Sequence, residues 1–177
     1  RGADGRVRAH DRQTPHLLVQ RAGDFLHVEH LDQVVFSDAA HAQEHSLEVQ
    51  IPFLQTVLDD FSIVPFAVGN ASGEQVAEVL DTLWGGDETL IVISSDLSHY
   101  HDYLTASRID NETTRAIESF NDAAIGPQEA CGYVGVRGLL QVASKKGLHE
   151  ITLDVRNSGD TAGPRDQVVG YGAYLFY

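Results

Sequence analysis

ETLIVISSD, Glu88 to Asp96, is a run of aliphatic and β-branched residues that ends abruptly in polar ones, the pattern of a buried strand. Immediately after it stands LSHYHDY, Leu97 to Tyr103, which brings two histidines and one further carboxylate to the end of that strand. Downstream, the spacing predicts a helix over Tyr103 to Phe120 and a helix or helix pair over Glu129 to Ser144. A strand over Ile151 to Asn157, a glycine-rich loop (NSGDTAGP) and a last strand over Val168 to Phe176 complete this half.

Working upstream, Gly73 to Trp84 is amphipathic at helical spacing. Phe61 to Gly69 is a strand that Pro65 makes irregular or places at an edge. From Glu44 to Leu58, the residues Leu47, Ile51, Leu54 and Leu58 recur on one helical face. Pro52 either kinks that helix or marks its restart at a first-turn position. VVFS, Val34 to Ser37, is a short strand, and Ser37 or Asp38 is placed to cap the turn that follows. Helices alternating with strands predict an α/β layered sandwich around a central mixed sheet. The first 33 residues differ: five of the twelve cationic side chains lie at Arg1, Arg6, Arg8, Arg12 and Arg21, and no period is visible. That stretch is expected to be irregular, with one short strand near Leu17 to Gln20, ahead of a domain over 34–177.

Composition narrows the function classes. The chain has 177 residues, 42% apolar and 21% charged, which suits one domain with its own core. A formal charge of -14 opposes non-specific nucleic-acid binding, which depends on cations meeting phosphates. The apolar runs are too short to span a membrane, and the charged opening lacks the apolar core of a secretory signal. A single cysteine, Cys131, excludes an internal disulfide and a multi-cysteine zinc site, and it fits a reducing, cytoplasmic compartment.

Three segments carry candidate chemistry. Asp96 and His99 stand at a strand's carboxyl end, where α/β sheets bind ligands. A carboxylate beside an imidazole fixes its tautomer, for acid–base work or for metal binding. The competing reading is a capped turn with solvated histidines. In HAQEHSLEVQIPF, His41 and His45 are four apart, as are Glu44 and Glu48, and each pair shares a face if the segment is one helix. That face is a metal site or simply the polar side of an amphipathic helix. Cys131-Gly132 precedes an apolar helix, so the thiol is either a ligand or nucleophile at a helix start or a small buried residue. No phosphate-binding glycine motif and no GxSxG elbow occurs.

Taken in order, EHSLEVQIPFLQ, SSDLSHY, CGYVGV and NSGDTAGPRDQVVGYGAY resemble the Memo family, whose bacterial and archaeal members are called AmmeMemoRadiSam system protein B. The resemblance implies a fold related to class III extradiol dioxygenases and a non-haem pocket for iron or copper. It implies that His45 and Cys131 are metal ligands, with Asp96 and His99 beside them. His99 would act in acid–base steps or as a third ligand, with Asp96 orienting it. A redox or dioxygenase-like role on a small molecule follows, or a metal- or peptide-binding role without turnover. The family's GPSH histidine motif has no counterpart before Val34. The sequence is therefore expected to be an N-terminally truncated member, lacking early strands and open to self-association at a sheet edge. One of His10, His16, His27 or His30 is the expected substitute for the lost ligand if His99 is not.

Overall fold

The computed structural model describes the backbone of residues 17–19 and, in full, residues 28, 30–42 and 44–177. His10, His16 and His27, with most of the stretch expected to be irregular, lie outside the described residues. The α/β class expected from the sequence is what the chain adopts. The strands of the described residues form two three-stranded sheets. In the first, β1 (Leu17–Val19) lies between β2 (Val34–Phe36), parallel to it, and β3 (Phe66–Val68), antiparallel to it. In the second, β6 (Val168–Phe176) runs antiparallel to both β4 (His99–His101) and β5 (Glu150–Asn157).

The helices follow their sequence signals. After α1 (Asp38–His41), α2 (Ile51–Val57) restarts with Pro52 in its first turn, where a missing N–H costs nothing. The single helix expected from Glu44 to Leu58 is thus a turn followed by a short helix. For the same reason β3 occupies only the part of its run that follows Pro65. Ahead of α3 (Gly73–Thr82), Ser72 and Gln75 form a reciprocal capping box. Asp102 caps α4 (Tyr103–Glu118) by accepting from Leu104 N and Thr105 N. Gly147, at φ 69°, closes α5 (Tyr133–Lys146) in the left-handed conformation that glycine adopts freely.

One expectation is corrected. Glu88–Asp96 joins no ladder among the described residues. Its side chains still alternate as in a strand: Leu90 and Val92 are 64% and 45% exposed, whereas Ile91 and Ile93 are partly buried. Apolar pattern selects the side that packs, but strand structure also needs a partner offering backbone groups in register. Here the end of the run meets Cys131 N at Asp96 O, and pairing with Gly170 begins only at Leu97 and Ser98.

Two apolar clusters flank α5. Val28, Leu31, Val76 and Val79 centre one, with Val134 against them; Ile117, Ile125, Ala130 and Leu140 centre the other. Helices α3 and α5 approach so closely at Gly138 that a Cβ there would lie 2.5 Å from Val76 Cγ1. Gly138→Ala should therefore destabilise the fold by about 1–3 kcal/mol through overpacking. Ser72→Ala, which only uncaps α3, should cost about 1 kcal/mol. Urea midpoints with unchanged slopes check both.

Candidate metal centre

The site is built where the Glu88–Asp96 run meets the start of α5. A side chain on Gly132 would place its Cβ 2.9 Å from Ser95 Cβ, so only glycine lets the two segments come this near. The approach is stitched by hydrogen bonds. Gly132 N donates to Ser95 Oγ at 2.9 Å, and Cys131 N donates to Asp96 O at 3.3 Å. In the other direction Asp96 N donates to Cys131 Sγ at 3.3 Å, and Ser95 Oγ lies 3.6 Å from the same sulfur.

Past Asp96 the chain is held to β6: Leu97 N donates to Gly170 O and Gly170 N to Ser98 O, both at 2.8 Å. This leads into β4, at the segment for which a capped turn is the competing sequence reading. The ladder is irregular between His99 and His101, and Tyr100 between them has φ 60°. Just before this bend the His99 ring lies against Asp96, with Nε2 3.2 Å from Oδ2. One ligand atom each from Asp96, His99 and Cys131 lies within 4.8 Å of the others. Asp96 and His99 are partly buried and Cys131 is exposed.

His45 lies outside this group. Its ring is 81% exposed and pairs with Glu48, Nδ1 to Oε2 at 2.7 Å. Helix α1 ends at His41, so His41 and His45 share no helical face. The His45 segment is nevertheless pinned near the site. Ser94 Oγ donates to Ser46 O at 2.8 Å and accepts from Gln50 Nε2 at 3.0 Å. Glu44 accepts from the amides of His45 and Ser46, and the Ser46 bond is the main reason its carboxyl titrates below the usual range. His30 is exposed on a turn outside the group.

Asp110, which lies in none of the sequence motifs, also faces the site. It is 2% exposed, and its Oδ1 accepts from Ser98 N at 3.0 Å. Burial raises its pKa, against the lowering effects of Ser98 and the nearby His101 and His99. The signal was legible: Ala106, Asp110, Thr113 and Ile117 form the buried stripe of α4, and a carboxylate on such a stripe needs a partner.

A second support flanks β4. Tyr103 N donates to Arg165 O at 3.0 Å, the Tyr103 hydroxyl donates to Asp160 Oδ1 at 2.6 Å, and the Arg165 guanidinium lies 4.4 Å from the ring centre. The glycine-rich loop is thereby fastened to the site's edge.

These observations define an α/β protein whose candidate centre joins thiol, imidazole and carboxylate from two distant segments. A family description, Memo-like protein, matches residues 13–175. The chain is 35% identical over 159 residues to a MEMO1 family protein of Methanosarcina mazei, covering 82% of this chain and 60% of that one. It is 35% identical over 150 residues to one of Archaeoglobus fulgidus, covering 78% and 57%. With a third, of Thermotoga petrophila, identity is 38% over 148 residues, covering 77% and 52%. The chain belongs to the Memo-like family, and it matches between about half and three-fifths of the length of these relatives. Among the described residues no helix is long and apolar enough to cross a membrane.

The Tyr103–Asp160 pair makes a pH prediction. The bond raises the phenol's pKa above 10.0 and lowers the carboxyl's below 3.8. Its contribution is therefore full between those values, and is lost as pH rises through the raised phenol value or falls through the lowered carboxyl value. The stability difference between the parent and Tyr103→Phe should be flat from pH 5 to about 9 and shrink beyond pH 10, measured by urea midpoints.

Proposed function

We propose that this Memo-family chain holds one iron or copper ion through Cys131 Sγ, a His99 ring nitrogen and an Asp96 carboxylate oxygen, for a redox or dioxygenase-like reaction on a small molecule. The observation that carries the reading is the convergence of these donors within 4.8 Å. Donors about 2.0–2.3 Å from one ion, at tetrahedral angles, lie roughly 3.3–3.8 Å apart. The 3.2 Å between His99 Nε2 and Asp96 Oδ2 is already close to that spacing. Rotamer adjustment of the exposed Cys131 supplies the rest.

Thiolate and imidazole suit copper, and imidazole with carboxylate suits iron. Such an ion, when bound, supplies one-electron exchange and activation of oxygen. The chain's own contribution is orientation. Asp96 N–H faces the sulfur, the β4 bend aims the His99 ring, and three protein donors leave room for a ligand of the substrate class. His45 becomes a further donor on release from Glu48. A free thiol in this role fits a cytoplasmic setting.

A second reading, binding of metal or peptide without turnover, is favoured by the openness of the site. Cys131 is exposed and the Asp96 side chain about half so, whereas oxygen chemistry benefits from water exclusion.

Purified protein should take up one equivalent of iron or copper and lose it to a chelator. Cys131→Ala and His99→Ala should weaken uptake by more than the about 10–100-fold that loss of an outer partner costs. A drop in His45→Ala adds that residue to the set; parental affinity leaves the set at three. Uptake of zinc alone, or parental affinity in Cys131→Ala, would end the proposal. Oxygen consumption with catechols then separates turnover from binding.

The apolar side chains of Leu90 and Val92 support self-association through that run. Sedimentation should show concentration-dependent oligomers that Val92→Lys reduces.

A further inference from the structure

Asp110 is a buried acid contributed by α4, and the proposed metal centre does not use it. Its Oδ1 accepts from Ser98 N, the residue before His99. A Cβ on Gly170 would run into the same carboxylate, so β6 leaves a glycine-sized gap where the acid fits. Gly170 is also the residue whose N–H and carbonyl hold Ser98 and Leu97. Helix α4 and strand β6 therefore both bond to the Leu97–Ser98 stretch, immediately ahead of His99 and of the bend at Tyr100.

That bend is strained. Tyr100, bulky and 73% exposed, has φ 60°. Such a conformation is unfavourable for a non-glycine residue and persists only where the surroundings enforce it. The ladder to β6 is broken at the same place, between His99 and His101. Upstream of the bend, the enforcing contacts are the Gly170 pair and the Ser98–Asp110 bond.

We propose that Asp110 is a positioning residue for the Asp96–His99–Cys131 group: by gripping Ser98 N it holds the strained bend that presents His99. This rests on the metal-centre reading for its consequence, though not for its geometry. The oxygen at Oδ1 does the gripping, so an amide in its place keeps the function. A methyl group does not, and Ser98 N is then left buried and unpaired.

Cobalt(II) serves as the probe, because sulfur-to-cobalt absorption reports ligation by Cys131. Asp110→Ala should bind cobalt about 10–100-fold more weakly than the parent, the usual cost of losing an outer partner. Asp110→Asn should stay within about threefold of the parent and keep its spectrum. Tyr100→Gly removes the strain, so it should recover part of the affinity in the Asp110→Ala background while changing little alone. Parental affinity in a folded Asp110→Ala, or Asp110→Asn as weak as Asp110→Ala, overturns the proposal. If Asp110→Ala fails to fold, Asp110→Asn decides alone: parental affinity and spectrum support the role, and their loss overturns it.

Proton–nitrogen NMR of the metal-free protein gives a readout independent of any ion. The His99 ring should hold one tautomer in the parent and in Asp110→Asn, and average between tautomers in Asp110→Ala. A parent that binds no cobalt yet shows this pattern would sink the metal reading and leave the positioning role standing. An unchanged His99 tautomer in a folded Asp110→Ala would overturn the positioning role itself.

Discussion

The close backbone passage of Gly132 past Ser94 and Ser95 is the constraint on which the rest depends. A Cβ at that position would meet Ser95 and the Ser94 carbonyl at about contact-violating range, 2.9 to 3.1 Å. With glycine there, reciprocal hydrogen bonds join the two segments, and Cys131 lies against Asp96. Without it, α5 stands off from the Glu88–Asp96 run. The thiol would then leave the imidazole and carboxylate.

Around that passage the structure is arranged in successive supports. Helix α5 is fixed by α3 through the Gly138–Val76 contact and by the cluster around Ile117 and Leu140. The Leu97–Ser98 lead into β4 is fixed by β6 at Gly170 and by α4 at Asp110. The glycine-rich loop closes the edge through Tyr103, Asp160 and Arg165. The supports nearest the site, at Gly170, Asp110 and Arg165, end on backbone, so orientation is set by many weak bonds rather than by one. Such sharing is what lets a strained residue such as Tyr100 persist.

The charge of the site follows from its neighbours. Asp110 is buried without a cationic partner that ion-pairs with it among the described residues, and desolvation raises its pKa. Together with Asp96 it gives the region a surplus of acid beside two histidines. A cation at Asp96, His99 and Cys131 would lower that electrostatic cost, which is the physical link between the buried acid and the exposed donors.

The sequence by itself determined the local structure. Capping residues, proline positions and helical spacing placed α3, α4, α5, β5 and β6 close to where they form, because each signal acts within a few residues. It also singled out Asp96, His99 and Cys131 as chemistry-bearing, and the four motifs in order pointed to the Memo family. Only the tertiary structure decided which donors meet. His45 is as polar and as well placed in sequence as His99, yet its ring turns to Glu48, because that carboxylate lies within reach along the chain. The Glu88–Asp96 run reads as a strand from its side chains, but a ladder requires another segment in register, and no single sequence window holds that information. Asp110 stands on the buried stripe of α4, but the space that takes its carboxylate is left by Gly170, sixty residues later.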